Sequence, residues 1–229
     1  MELILDTANL KDIEKLSDYL CIDGITTNPS IISKEKRDFK TILIEIDKII
    51  GKSKPIHAQV VSTKFEDILE EALYINDIRE NIYVKIPVSI DGLKAIKELK
   101  KYNIKITATA IFTAHQGIIA AKAGADYVAP YVNRLDNISA DGISTVGDLI
   151  KILNIYDMKT KVLGASFKDA YKVLELLKLG VHSVTIPVDI CYKMLEHPLT
   201  DLSVYKFIED WYSVFGYTKI IKKNDKLRG

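Results

Sequence analysis

Eight short runs rich in Ile, Val, Leu and Thr recur along this chain, each parted from the next by a longer segment. The runs cover residues 2–6, 24–28, 55–61, 81–88, 104–110, 127–131, 161–166 and 183–188. Their lengths and apolar character suit strands buried on both faces. The segments between them carry helical spacing. From Phe65 to Tyr74, Ile68, Leu69, Ala72 and Leu73 share one face and acids occupy the other. Residues 92–99 and 170–177 repeat that pattern. Strands alternating with helices pair in parallel through right-handed crossovers. Eight such units in 229 residues close into an α/β fold of the (β/α)8 TIM-barrel type. An open doubly wound sheet is the alternative, but no GxGxxG follows the first run.

No linker or low-complexity tract breaks the chain, so a single barrel domain over residues 1–229 is expected. One stretch exceeds the eight units. Residues 202–215 hold Tyr205, Phe207, Ile208, Trp211, Tyr212, Val214 and Phe215, which is too aromatic for a solvated terminal helix. An additional C-terminal helix at about 201–216 is expected. It either caps its own barrel or packs on a neighbouring subunit, and interface enrichment in aromatics favours the second. The last stretch, 219–229, reads as a basic, frayed tail.

Composition excludes several classes. Thirty-two basic residues against 31 acidic leave a net charge of +1, which argues against broad nucleic-acid binding. Charges interrupt every apolar run short of a membrane span, and no secretory leader is visible. Cys21 and Cys191 have no CxxC spacing, so a reducing cytoplasm is the simplest location. His57, His115, His182 and His197 lack metal-ligand spacing, and neither HExxH nor GxSxG occurs. No metal and no cofactor are expected.

A barrel's active site sits at the C-terminal ends of its strands. Polar residues that a core would not choose lie there: Asp6, Thr26, Thr27, Asn28, Gln59, Lys85, Thr107, Thr109, Tyr131, Asn133, Arg134 and Ser166. Lys85 is the most informative. An ammonium inside Ile82-Tyr83-Val84-Lys85-Ile86-Pro87-Val88 is costly unless it is paired or deprotonated. A neutral amine there would attack a carbonyl and form a Schiff base; a snorkelling or ion-paired lysine is the plainer reading. Asp6 is either a proton-handling carboxylate or an N-cap of the following helix. Gln59, Thr109 and Tyr131 are each compatible with core filling or with holding a water. Arg134 and Ser166, with Lys168 nearby, suit a phosphate, and a helix beginning after Ser166 would add N–H donors. The plainer reading of Arg134 is an ion pair with Asp136.

Taken together, Asp6-Thr7-Ala8-Asn9, Gly24-Ile25-Thr26-Thr27-Asn28-Pro29-Ser30, Val84-Lys85-Ile86-Pro87, Gln116-Gly117, Ala123-Gly124-Ala125 and Ala165-Ser166-Phe167-Lys168 resemble the small transaldolase-like class I aldolases, in order over nearly the whole chain. The resemblance implies a (β/α)8 barrel whose strand-four lysine, Lys85, forms a Schiff base with a ketose, without a metal. It divides between two activities. Transaldolases transfer a dihydroxyacetone unit between sugar phosphates of the pentose phosphate pathway. Fructose-6-phosphate aldolases cleave the same bond and release dihydroxyacetone. Transaldolases usually carry Glu where this chain has Gln59, Phe where it has Tyr131, and commonly Asn where it has Thr107; His57-Ala58-Gln59-Val60 and Ala129-Pro130-Tyr131-Val132-Asn133-Arg134 are similar to the aldolase branch. The resemblance further implies Asp6 as the proton acceptor, Gln59, Thr109 and Tyr131 around a water, Thr26 and Asn28 on substrate hydroxyls, Ser166 on the donor, and Arg134, Ser166 and Lys168 on a phosphate. It also implies a homo-oligomer, pentameric or decameric. A silent barrel that merely binds a sugar phosphate is the reading from another class.

Overall fold

The computed structural model describes residues 1–220, and residues 221–229 of the expected basic tail lie outside them. Eight strands form a closed, all-parallel barrel in sequence order: β1 (Glu2–Asp6), β2 (Gly24–Thr26), β3 (Ile56–Gln59), β4 (Ile82–Pro87), β5 (Ile106–Ile111), β6 (Tyr127–Pro130), β7 (Lys161–Gly164) and β8 (Ser183–Ile186). β8 returns to β1, with Leu5 opposite Ile186. This is the (β/α)8 TIM barrel that the alternation of runs requires.

Helices fill the crossovers and follow the last strand. In chain order they are α1 (Leu10–Tyr19), α2 (Pro29–Glu35), α3 (Phe39–Ile50), α4 (Phe65–Asn76), α5 (Ile90–Leu99), α6 (Ala114–Lys122), α7 (Val132–Asp136), α8 (Gly142–Ile155), α9 (Ala170–Lys178), α10 (Val188–Leu195) and α11 (Pro198–Phe215). Their starts are written locally. Asn9, Asn28, Asp38, Ser89, Thr113, Asp141 and Asp169 each accept a backbone N–H of the first turn, and Thr113 with Gln116 makes a full capping box. The helices bury aliphatic stripes such as Ile42, Leu43, Ile46 and Ile50 on α3. On α4 the buried stripe is Ile68, Ala72 and Ile75, while Leu73 is exposed. Ile68 and Ala72 lie on the expected face, and Ile75 replaces Leu73 there, because spacings of four and three, not adjacent pairs, define the contact.

Several strands end sooner than their apolar runs. β2 stops at Thr26 because Asn28 turns out to cap α2, and β3 stops at Gln59. β5 instead runs one residue further, through a bulge. Ala108 pairs with Val128 and Ile111 with Pro130, so β5 holds one more residue than β6 over that span. The extra residue, Ala110, has φ of 56°, a left-handed conformation that costs a non-glycine residue about 1 kcal/mol.

Side chains from strands that are not neighbours meet only in the lumen. Ile4, Tyr127, Ala129 and Leu163 cluster there, and Tyr83 packs against them. Lower in the barrel, Glu2 receives hydrogen bonds from Tyr127 Oη (2.9 Å) and Lys161 Nζ (2.6 Å). β4 therefore sends Tyr83 and Lys85 inward and Val84 and Ile86 outward, as strand alternation requires.

By internal contacts the chain divides into Met1–Cys191, which is the barrel, and Tyr192–Gly229. The second unit contains α11, which begins four residues earlier than the aromatic pattern indicated, at Pro198 after a His197 cap. No residue of α11 is fully buried; Tyr205, Phe207 and Val214 are all more than two-thirds exposed. No helix among the described residues is long and apolar enough to cross a membrane.

Candidate active site

Lys85 is 5% exposed, and its Nζ donates to the Thr27 carbonyl oxygen at 2.8 Å. Thr27 lies just beyond β2 and Lys85 on β4, so this bond spans the lumen over β3. Burial lowers the pKa of the amine from 10.5, opposed in part by the attraction of Asp6. A protein interior disfavours the ammonium more than one nearby carboxyl restores it. That shift favours the neutral, nucleophilic form of the amine.

Asp6 is not an N-cap. Asn9 caps α1 by accepting from Asp12 N, which leaves the Asp6 carboxyl free to face the lumen groups. Its Oδ1 accepts from Thr26 Oγ1 at 2.6 Å, and Thr26 Oγ1 lies 2.5 Å from Thr185 Oγ1 of β8. Burial raises the Asp6 pKa above 3.8; attraction to Lys85, the Thr26 bond and Lys34 pull the other way. Asp6 is raised and Lys85 lowered, and two groups so perturbed by burial in one cavity mark a candidate functional site. Thr26 is fully buried between Asp6 and Thr185, so its contact is to the carboxyl. Asn28 spends its Oδ1 on the Ile31 N–H, leaving its amide N–H groups as donors.

Gln59 stands in register with Lys85 on β3, and Lys85 with Thr107 on β5. Gln59 Oε1 is buried with no protein partner among the described residues. A buried acceptor without a partner calls for a water or a substrate hydroxyl. Thr109 Oγ1 is 3.4 Å from Tyr131 Oη, a long contact across the bulge at Ala110. Tyr131 follows β6 and packs edge-on against Phe112. These residues lie at the C-terminal ends of neighbouring strands.

Arg134 makes no ion pair with Asp136. Lys172 takes Asp136 at 2.6 Å, and the Arg134 guanidinium instead lies 4.7 Å over the Tyr131 ring. An exposed guanidinium stacked on an aromatic face keeps its fork for an anion. Ser166 has φ of 66°, and its carbonyl accepts from Asn133 N. Lys168 is exposed, while its backbone N–H donates to Asn133 Oδ1 at 2.9 Å. Asn133 therefore ties the segments bearing Arg134 and Lys168 together. The helix expected directly after Ser166 begins only at Ala170, capped by Asp169, so it does not supply N–H donors at Ser166.

Sequence reasoning missed Thr185 and assigned His57 no role beyond a rejected metal ligand. Both are polar residues inside buried strands, the same signal that singled out Lys85.

A family model described as Transaldolase/Fructose-6-phosphate aldolase matches residues 3–224. The chain belongs to the transaldolase/fructose-6-phosphate aldolase family. A probable transaldolase of Thermoanaerobacter sp. (strain X514) is 44% identical over 92% of this chain and 97% of its own length. One from Moorella thermoacetica is 42% identical over 93% of this chain and 99% of its own. Among solved structures, a thiamine phosphate pyrophosphorylase from Pyrococcus furiosus superposes with a TM-score of 0.59 at 13% identity, covering 84% of this chain and 93% of its own. A mandelate oxidase superposes with a TM-score of 0.57 at 11% identity, covering 82% and 64%. At such identities those two establish the barrel alone.

The buried His57 gives a testable consequence for the family member in hand. Its pKa falls from 6.5 to about 3, through burial first and then the charges of Lys85 and Lys161. Between those values the unfolded chain binds a proton that the folded chain refuses. Stability is therefore lost as pH drops from 6.5 toward 3, by roughly 5 kcal/mol at most. His57→Phe removes this linkage, so its stability should fall less steeply than that of wild type between pH 6.5 and 3, whatever the lost bond to Thr107 costs at all pH. A slope equal to or steeper than that of wild type contradicts the assignment.

Proposed function

We propose that this chain is a Schiff-base aldolase that reversibly cleaves fructose 6-phosphate to dihydroxyacetone and glyceraldehyde 3-phosphate. The observation that carries the reading is the Lys85 amine, buried in the lumen and lowered in pKa opposite a carboxyl raised in pKa. Neutral Lys85 attacks the ketose carbonyl and loses water to give an iminium. Asp6 takes the proton of the C4 hydroxyl, the C3–C4 bond breaks, and the aldehyde leaves. The enamine is then protonated at C3, and water hydrolyses the imine. Thr26 aligns the Asp6 carboxyl, and Asn28 donates to substrate hydroxyls. Ser166 positions the donor. Arg134, with Ser166 and Lys168, holds the phosphate.

The choice between release and transfer turns on Gln59, Thr109 and Tyr131. Release requires a proton for the enamine carbon and a water for the imine. A tyrosine hydroxyl donates a proton where a phenylalanine cannot, and Tyr131 Oη stands at Thr109. The free Gln59 Oε1 supplies an acceptor for that water. The second reading is transfer of the dihydroxyacetone unit to an acceptor aldose, favoured by the names of the relatives. We further read α11, whose aromatic side chains are left exposed, as the surface that packs on another copy in a pentamer or decamer. Two free thiols, Cys21 and Cys191, fit residence in the cytoplasm.

Incubation with fructose 6-phosphate alone should release glyceraldehyde 3-phosphate catalytically. Release that appears only with erythrose 4-phosphate present establishes the transferase instead. Tyr131→Phe should lower release about a hundredfold relative to transfer, the low end for a lost proton donor; an unchanged ratio removes the role of that hydroxyl. Light scattering should give five or ten chain masses, and a monomer would refute the assembly.

A further inference from the structure

A second polar pair lies beneath Lys85, and the proposed chemistry does not use it. His57 on β3 and Thr107 on β5 are both 0% exposed, with Nδ1 and Oγ1 2.7 Å apart. Their strands are not neighbours, because β4 runs between them. The register sets His57 beside Tyr83 and Thr107 beside Lys85. The hydrogen bond therefore crosses the lumen side of β4 at the step between its two inward side chains. Below it, His57 stacks on Tyr83 with centroids 4.8 Å apart and meets Tyr127 edge-on at 5.1 Å. The imidazole is fixed from beneath by aromatic rings and from the side by Thr107.

Polar atoms are costly to bury where apolar side chains of the same shape would pack equally well. Here they sit at the one level of the lumen that must locate an amine. A lysine stem has four rotatable bonds, and its nucleophile is productive only when held near the attack geometry. The ring is neutral, so it adds no charge against an iminium formed above it.

We propose that His57 is a positioning residue for the Lys85 amine, acting through its hydrogen bond to Thr107. The pair closes the lumen beneath Lys85 and keeps Nζ raised against the Thr27 carbonyl. The inference rests on the Schiff-base reading above.

The test measures the rate at which borohydride traps the enzyme with dihydroxyacetone, located by peptide mass, alongside thermal unfolding. His57→Phe keeps the stacked ring and cuts the bond. Thr107→Val keeps the shape and cuts the same bond from the other side. His57→Asn loses the ring but places an amide near the Nδ1 position. Phe and Val should each slow trapping about tenfold, and the double variant should be no slower than either, as groups acting through one bond behave. Asn should recover trapping to within about threefold of wild type despite a lower Tm. Packing alone predicts the reverse order, with Phe normal and Asn slow. That order, or wild-type trapping in both Phe and Val, overturns the inference while leaving the Schiff base intact. Failure of the wild-type protein to be trapped at Lys85 overturns both.

Discussion

Desolvation of one amine organises this barrel. Lys85 enters the lumen from β4 and, among the described residues, meets a single direct acceptor, the Thr27 carbonyl at 2.8 Å. A carbonyl dipole accepts from an amine or an ammonium, but it does not compensate a full charge as a contacting carboxylate would. The Asp6 carboxyl attracts Lys85 but is itself penalised by burial, and its own hydrogen bond goes to Thr26. Each group therefore leans toward its neutral form. That shared tendency is what a reaction needs when it begins with a neutral amine and proceeds by moving protons.

The lumen below is arranged in polar and aromatic levels. Glu2, Lys161 and Tyr127 close the lowest level with hydrogen bonds of 2.6 and 2.9 Å. Tyr83, Tyr127 and His57 form the aromatic level above, with centroid separations of 4.8 to 5.1 Å. His57 and Thr107 make the next level, and Lys85 stands over them. Buried polar groups are tolerable here because most of them find partners inside the barrel. In the lumen, among the described residues, the exceptions are His57 Nε2 and Gln59 Oε1, and the second lies at the level of Lys85. The bulge at Ala110 gives β5 one residue more than β6 just after Thr109, so the backbone strain lies beside the candidate site.

Much of the fold was legible because β and α periodicities differ so sharply. Eight apolar runs with amphipathic spacers leave few closed topologies, and the barrel follows. Strand ends were less legible, because Thr27 and Asn28 look like strand residues until Asn28 is seen to cap α2. The same competition leaves two readings of Asp6 open in the sequence, and the cap is Asn9, not Asp6. The Arg134–Asp136 pair failed because Lys172, distant in sequence, reaches Asp136 first. Ser166 was placed at a helix start that lies four residues on, since Asp169 makes the better cap. His57 carries the same mark as Lys85, a polar residue inside a buried strand, but its partner Thr107 lies beyond β4, and no local pattern names a partner that far along the chain. Lys85 was legible because a lysine amid Ile, Val and Pro conflicts with its surroundings in one dimension as well as in three.

The most direct test of the central claim is the titration of the Lys85 side chain itself, followed by NMR of labelled lysine and assigned by the signal lost in Lys85→Met. The account predicts a midpoint well below the ordinary 10.5, with the signal of the surface lysines left behind. A Lys85 midpoint at or above 10.5 would mean that the lumen stabilises the ammonium, and the amine could not serve as the nucleophile described here.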